Sequence, residues 1–236
     1  MACVVEAARR HRSIRSYSGP VEEAHIDLII EAARRAPTAW NLMPVSIQAV
    51  TDPKLLERLG DAVGGQEHVK KAPLFLVFSV DYAKIVEASR ASGVEPAEPG
   101  LGHVFAALID AGIMVGWAGL AAEDLGYGVA YIAVYGNPCG VAEILELPPL
   151  VVPVVGLAIG RPGEDPARRP RQPLESMLGR NGYGTSPGEK AQGVKSVYGQ
   201  RAQRLFNIVT SREGYLHKLS GRILQCLKDR GYNTTA

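Results

Sequence analysis

Apolar side chains recur along this chain at two spacings, and each spacing predicts a different element. In residues 22–36 isoleucine and alanine recur every three or four positions, which predicts a helix that Pro37 ends. Residues 45–50 alternate apolar and polar side chains, as a half-buried strand does. Residues 73–80 form a nearly continuous apolar run, which is typical of a strand buried on both faces.

Similar patterns predict the other elements. We expect further helices over residues 2–11, 53–59, 103–125, 194–212 and 215–229, and further strands over residues 129–135 and 152–159. Residues 84–100 show no period and predict a mobile connection or an exposed helical excursion, and residues 161–190 predict an ordered surface loop. Because strands and helices do not alternate strictly, an α+β sandwich with helices over a small sheet fits better than a doubly wound fold.

The most apolar stretch, residues 104–122, has Asp110 as its only charge and approaches the ~20 residues of a membrane-spanning helix. It is rich in alanine and glycine rather than leucine and isoleucine, and no aromatic belt flanks it. We therefore expect a helix buried at the centre of the domain or at a subunit interface, and no membrane.

Composition narrows the function classes. The chain has 236 residues, enough for one large domain or for a domain with an appendage, and its net charge of +2 excludes a strongly basic nucleic-acid coat as the whole function. The three cysteines include no C-x-x-C pair and no histidines fall four apart, so we expect free thiols in a reducing compartment and no metal site. The N-terminus lacks a signal-peptide pattern, which favours the cytoplasm.

A serine-hydrolase motif and a dinucleotide fingerprint both fail on physical grounds. Residues 184–188 match G-x-S-x-G, but the oxyanion hole would need the backbone N–H of Pro187, which has none. The glycines at positions 100 and 102 lack the third glycine and the preceding strand of a dinucleotide site.

A first basic cluster, residues 9–15, holds five basic side chains and a hydroxyl. In an extended segment His11, Ser13 and Arg15 would point to one side, where they could converge on a phosphate. The same residues could instead be a solvated helix end or a nucleic-acid patch.

A second basic cluster occupies residues 168–173, where prolines favour extended geometry and Arg169 and Arg171 would project together. Taken alone, it could be a surface charge run. Two rigid clusters far apart in sequence favour one anionic ligand that is held from two sides.

Three less charged segments could line the same site. Residues 37–44 combine a helix stop, small polar residues and an amide, which suits a loop laid against a flat heterocycle or an ordinary turn. In residues 64–68 two glycines would let the backbone approach a ligand, and Gln66 offers a donor and an acceptor. Residues 131–134 read as a strand whose backbone could line a pocket.

Together these segments resemble the FMN-dependent nitroreductase and flavin reductase family, and above all its larger, NADPH-preferring, oxygen-insensitive nitroreductase A type. Each motif is weak alone, but the ordered set over residues 6–175 is specific. The motifs are HRSIR at 11–15, PTAWN at 37–41, GGQEHV at 64–69, ALIDAG at 107–112, AEDLGYG at 122–128, YIAV at 131–134 and RPRQP at 169–173.

The resemblance implies a three-layer α+β sandwich with a small, mostly antiparallel sheet, assembled as an interlocked homodimer with FMN at the interface. It implies an FMN-binding domain over residues 1–185 and a helical extension over 186–236 that packs on the partner subunit. Arg15 would act as an electrostatic stabiliser near the N1/O2 edge of the flavin. The implied FMN contacts are His11, Arg12, Ser13, Arg15, Thr38, Asn41, Gln66, Tyr131, Ile132, Ala133, Val134, Arg169 and Arg171.

The implied activity is NAD(P)H-dependent reduction of nitroaromatics, quinones or other small acceptors, including flavins, by ping-pong hydride transfer through bound FMN. FMN would carry the chemistry, so no catalytic side chain, metal or nucleic acid is expected. Two alternatives stay open: a flavin reductase that supplies free reduced FMN, and a non-enzymatic FMN-binding protein.

Overall fold

The computed structural model describes residues 4–235. Within this range the chain divides into two compact units. The first unit combines residues 4–166 with residues 222–235, and the second is an excursion over residues 167–221. The sequence-based division at residue 185 falls inside the excursion.

The first unit holds most of the regular structure. Its strands are β1 (Tyr17–Gly19), β2 (Val45–Val50), β3 (Leu74–Asp81), β4 (Gly128–Ile132) and β5 (Val151–Pro162). Its helices are α1 (Val4–Arg10), α2 (Glu23–Arg34), α3 (Pro53–Ala62), α4 (Glu67–Lys70), α5 (Ala83–Ala91), α6 (Leu101–Asp124) and α7 (Pro138–Ile144). The excursion adds α8 (Leu174–Met177), α9 (Pro187–Tyr198), α10 (Ala202–Thr210) and the start of α11 (Tyr215–Asp229), which ends in the first unit.

The five strands form one antiparallel sheet in which β5 pairs with β3, β4 and β1, and β2 pairs with β3. Alternate side chains of β3 enter two separate cores. Leu74, Leu76 and Phe78 pack with α2 and α6, whereas Phe75 and Val77 pack with α3, α4 and α7. Helices therefore cover both faces of the sheet, and the predicted three-layer α+β sandwich is confirmed.

Helix α6 has two unlike faces. One face is buried against the sheet and α2 and carries Asp110, which is only 3% exposed. Among residues 4–235, α6 is the one helix long and apolar enough to cross a membrane by length and composition, a test that core helices also pass. Its other face is apolar and exposed, and it presents Leu101, Phe105, Leu108, Ile109 and Trp117.

Residues 83–91 form α5, so the first half of residues 84–100 adopts the exposed helical excursion, one of the two predicted alternatives. Another expectation needs correction. The predicted helix over 194–212 is broken into α9 and α10 at Gly199, whose φ of 50° is outside the helical region. Ser186 of the G-x-S-x-G pattern is the N-cap of α9, because its hydroxyl accepts a hydrogen bond from the backbone of Glu189 at 3.3 Å.

The prediction of free thiols is wrong for two of the three cysteines. Cys139 at the start of α7 and Cys226 in α11 form a disulfide across 87 residues of sequence. The pairing could not be predicted from spacing, because it depends on the return of α11 to the first unit after the excursion. Cys3 lies outside the described residues.

Candidate active site

The segment His11–Arg15 lies outside the helices and strands and is anchored alongside β4. The backbone N–H of Ile14 donates to the carbonyl of Val129 at 2.9 Å, and the Ile14 side chain is buried. Gly128 makes this contact possible, since a Cβ at that position would lie 2.6 Å from Cβ of Ile14. Because His11, Arg12 and Ile14 all line one cavity, the convergence of His11, Ser13 and Arg15 on one side stays a prediction.

His11 is fixed at the C-terminal end of α6. Its Nδ1 donates to Oε1 of Glu123 at 2.7 Å, and both side chains are largely shielded from solvent. The Tyr131 ring meets the imidazole edge to face, with centroids 6.2 Å apart. Burial and then the Glu123 carboxylate raise the pKa of Tyr131 to about 12, so its phenol is neutral at physiological pH.

Arg12 is held by an acidic partner near the end of β5. Its guanidinium forms an ion pair with Asp165, and Nη1 also donates to the carbonyl of Arg10 at 3.2 Å. Its Nε is buried, and no acceptor among residues 4–235 reaches it. Ser13 is half-buried.

The backbone of Arg15 is anchored, while its side chain points into solvent. Oε1 of Glu164 accepts the backbone N–H groups of Arg15 and Ser16 at 2.5 and 3.0 Å. The Arg15 guanidinium is exposed, and none of the ion pairs formed within residues 4–235 involves it. A rigid backbone with an available guanidinium is the arrangement that an anion-binding arginine needs.

The loop that carries Gln66 has an open backbone at two glycines. Gly64 and Gly65 adopt φ values of 96° and 70°, which side chains rarely tolerate, and nothing lies within 4 Å of a Cβ placed on Gly65. Burial, and after it the charge of Arg15, lowers the pKa of His68 below its usual 6.5, while Glu164 acts in the opposite direction. Arg15 therefore lies close enough to this loop for its charge to act on His68.

A polar cavity of about 270 Å³ lies beside the His11–Arg15 segment. Its walls combine basic groups with two carboxylates and with the glycine turn that precedes β4. The lining residues are Ala7, Arg10, His11, Arg12, Ile14, Glu123, Gly126, Tyr127, Gly128, Pro162 and Glu164.

The four predicted site residues at the end of β4, residues 131–134, differ in whether their side chains are exposed or buried. Tyr131 and Ala133 are exposed, whereas Ile132 and Val134 are buried in the core that also contains Phe75 and Val77 of β3. Because a 3-10 turn begins at Val134, the strand ends earlier than predicted. The two buried residues can therefore offer a ligand only their backbone groups.

Thr38 and Asn41 are not part of this cluster within one chain. Their loop is attached to the middle of α6, where the backbone N–H of Ala39 donates to Oδ1 of Asp110 at 3.1 Å. Asp110 precedes Glu123 by 13 residues in the same helix, which corresponds to about 20 Å of helix axis. A single subunit thus presents the Thr38 loop and the His11 cluster at different positions along α6.

Arg169 and Arg171 lie in the second unit and are exposed. Nη1 of Arg171 donates to the carbonyls of Arg169 and Pro170 at 3.3 and 3.4 Å, so its side chain folds back on its own backbone. Their convergence with Arg15 on one anion stays a prediction.

Three carboxylates that organise the site were not singled out from the sequence: Glu123, Glu164 and Asp110. A signal existed for Asp110, the lone charge in an apolar stretch, because a buried charge needs a partner. Glu123 stands within one of the recognised motifs, yet its partner His11 is 112 residues away. Glu164 accepts hydrogen bonds from backbone N–H groups. Such bonds do not depend on the side chains of their donors, so no sequence pattern indicates them.

Comparison with known proteins decides the relationship. The family model described as "Nitroreductase family" matches residues 8–161, from the first basic cluster to the end of β5. The chain belongs to the nitroreductase family.

Relatives within the nitroreductase family carry related names. The "FMN reductase [NAD(P)H]" of Bacillus subtilis is 40% identical over 178 residues, which cover 74% of this chain and 72% of the relative. The "Oxygen-insensitive NADPH nitroreductase" of Salmonella typhimurium is 35% identical over 185 residues, covering 78% and 75%. The solved NADPH:FMN oxidoreductase of Vibrio harveyi in complex with NAD+ has a TM-score of 0.85 at 28% identity, covering 97% and 98% of the two chains.

Proposed function

We infer that this nitroreductase-family protein is an NAD(P)H-dependent FMN oxidoreductase that reduces small acceptors such as nitroaromatics and quinones. The observation that carries this function is the anchored His11–Arg15 segment, which leaves the Arg15 guanidinium available and close enough to the Gln66 loop for its charge to act on His68. Bound FMN would supply the redox chemistry, taking a hydride from NAD(P)H and passing electrons to an acceptor that uses the same site in alternation.

The residues present fit a flavin mononucleotide. A flavin needs hydrogen-bonding groups for its ring edge and ribityl hydroxyls, a cation for negative charge, and close approach of backbone to its flat ring. Arg15 offers the cation, Gln66 offers both a donor and an acceptor, and the space above Gly65 is open. The exposed ring of Tyr131 offers an apolar surface with a neutral hydroxyl.

Each part of the site has a role for this chain's own residues. Arg15 holds positive charge against the cofactor, and its anchored backbone limits the conformational entropy lost on binding. Glu123 fixes the orientation of the His11 ring through Nδ1, which leaves Nε2 for the ligand side. Arg12, Ser13, Ile132, Ala133 and Val134 complete the proposed cofactor contacts, with Arg169 and Arg171 as the proposed phosphate clamp.

The active form proposed is a homodimer with the cofactor at its interface. The apolar outer face of α6 supports this, because exposure of such a face to water is energetically unfavourable. The position of the Thr38 loop about 20 Å along α6 from the His11 cluster supports it as well. A second copy could bring its Thr38 and Asn41 to the first copy's His11 and Arg15.

Three further proposals accompany the dimer. Residues 186–236 form a helical extension that packs on the partner subunit, although the part after residue 221 also belongs to the first unit of its own chain. NADPH or NADH is the donor. The protein acts in the cytoplasm without membrane or nucleic-acid partners, and no group of three potential metal ligands occurs among residues 4–235.

The visible spectrum of the purified protein tests the function directly. We expect flavin absorption that bleaches when NADPH or NADH is added without oxygen and returns when a quinone or nitroaromatic follows. A colourless protein that neither binds added FMN nor oxidises NAD(P)H would overturn the proposal.

A flavin reductase that supplies free reduced FMN is a second candidate, favoured by the similarity to the FMN reductase [NAD(P)H] of Bacillus subtilis. Turnover with free FMN, compared with turnover with nitrofurazone under the same conditions, separates the two. Bleaching without turnover of any acceptor would instead indicate an FMN-binding protein without this enzymatic role.

A further inference from the structure

Trp40 occupies an anomalous position. Its side chain is 89% exposed, the highest value among the exposed large hydrophobic residues within 4–235. Tryptophan is normally well covered, because it carries one of the largest apolar surfaces of any side chain. So high an exposure of an indole side chain calls for a structural or functional explanation.

The backbone at Trp40 and just after it has a strained conformation. Trp40, Asn41 and Met43 have φ values of 51°, 56° and 50°, in the left-handed region that side chains rarely adopt. Such conformations are unfavourable for residues with side chains and persist only where the surroundings impose them.

The surroundings that impose them are visible. Thr38 Oγ1 accepts the backbone N–H of Met43 at 3.3 Å, and the buried Asp110 accepts the backbone N–H of Ala39 at 3.1 Å. The 3-10 turn over Ala39–Asn41 therefore has a fixed base and an outward indole. Trp40 lies on a rigid loop. Stacking of a ligand on its indole would therefore lose little free energy to ordering of the loop.

We propose that Trp40 is a specificity-determining residue, whose indole stacks on flat aromatic acceptors at the flavin that the Thr38 loop reaches in the dimer. This rests on the proposed function, which places its sequence neighbours Thr38 and Asn41 against the cofactor. The π face of an indole attracts the flat rings of quinones and nitroaromatics, whereas a hydrated inorganic acceptor gains nothing from it.

The test separates acceptor binding from every other step. Holoenzyme is reduced anaerobically with NADPH and mixed in a stopped-flow instrument with 1,4-naphthoquinone or with ferricyanide, and the return of flavin absorption is followed at increasing acceptor concentration. The variants are Trp40→Ala, which removes the ring, and Trp40→Phe, which keeps a smaller one. Val94→Ala is the control, because Val94 is an exposed apolar residue outside the Thr38 loop.

Loss of one stacking contact corresponds to a fall of about three- to tenfold in second-order rate with naphthoquinone relative to ferricyanide. We expect this fall for Trp40→Ala, partial recovery for Trp40→Phe, and a wild-type ratio for Val94→Ala. An equal ratio in wild type and Trp40→Ala would overturn the proposal. Loss of FMN or of the dimer in both Trp40 variants would also overturn it, because Trp40 would then serve assembly. Failure of the proposed function itself would look different, since wild-type protein would be oxidised by neither acceptor.

Discussion

The hydroxyl of Tyr131 lies directly over Gly119 of α6, so close that a Cβ on Gly119 would be 1.9 Å from the phenol oxygen. The absence of a side chain at one helix position thus sets the place of an aromatic ring in the candidate site. Tyr131 also meets His11, so a displacement of the ring would reach the cofactor-binding segment.

Gly119→Ala should therefore weaken FMN binding more than it weakens the fold. The added methyl displaces the ring, and loss of an aromatic contact corresponds to about a two- to tenfold rise in the dissociation constant of FMN. The unfolding free energy should change by less than about 1 kcal/mol, because alanine favours the helix and offsets part of the strain. FMN fluorescence titration and urea denaturation measure the two quantities. Gly102→Ala is the control, since nothing lies within 4 Å of its added Cβ. An equal effect of both substitutions on FMN would refute this role of Gly119.

Arg15→Ala should weaken FMN binding more than replacement of an exposed arginine outside the proposed cofactor site does. Removal of a charge-assisted hydrogen bond costs about 1.5–3 kcal/mol, which corresponds to a rise of about ten- to a hundredfold in the FMN dissociation constant. Arg34→Ala is the control, because Arg34 is also exposed but pairs with Glu31 on the surface of α2. Similar FMN affinities in the two variants would remove Arg15 from the proposed site.

The stability of the protein should fall below neutral pH through His68. Its pKa in the folded state is lowered by burial and by Arg15, so the unfolded chain takes up a proton first as the pH falls through about 6.5. The contribution is present above that pH and is lost as the pH falls toward the lower, folded pKa. Urea midpoints at pH 7.5 and 5.5 should therefore differ less in His68→Gln than in wild type. His217→Gln, at an exposed position of α11, should leave the difference as it is in wild type. If His68→Gln also leaves it intact, another group is responsible.

The disulfide should contribute measurable stability outside reducing conditions. Closing a loop of 87 residues stabilises a fold by about 2–4 kcal/mol. Cys139→Ser should lose that amount in buffer without reductant, and dithiothreitol should lower wild type to the same level. The denatured wild type should show one free thiol before reduction and three after it. Three free thiols before reduction would show that the pair is open in the purified protein.

Phe105→Glu should dissociate the proposed dimer, because it places a charge on the apolar outer face of α6. Phe105 is 69% exposed in one chain. Light scattering should give a monomer for this variant, with loss of bound FMN if the second copy completes the site. Val94→Glu is the control, since Val94 is also an exposed apolar residue but lies outside α6. A dimeric Phe105→Glu protein that keeps its FMN would place the interface elsewhere.

Elements with a strong local signal could be predicted from the sequence. The strand over residues 45–50 and the helix over 215–229 match the structure at both ends. Asp52 caps α3 as its position before Pro53 suggests, and accepts the backbone N–H of Leu55 at 2.9 Å. These features depend on residues a few positions apart, which a single sequence displays.

Features that depend on distant residues could not be predicted in this way. Strand β1 has three residues and exists only because it pairs with the end of β5. The contact of His11 with Glu123 depends on where α6 ends relative to β4. The left-handed backbone at Trp40 has no local signature, because glycine is absent where the conformation would favour it.

The disulfide also determines what a single cut in the chain would do. The excursion leaves the first unit after residue 166 and returns at residue 222, so Cys139 precedes it and Cys226 follows it. A protease that cleaved once within residues 167–221 would produce two fragments that remain covalently joined. The cleaved protein would migrate as one species until a reductant separated the two fragments. A single cut in the excursion therefore does not by itself divide the molecule.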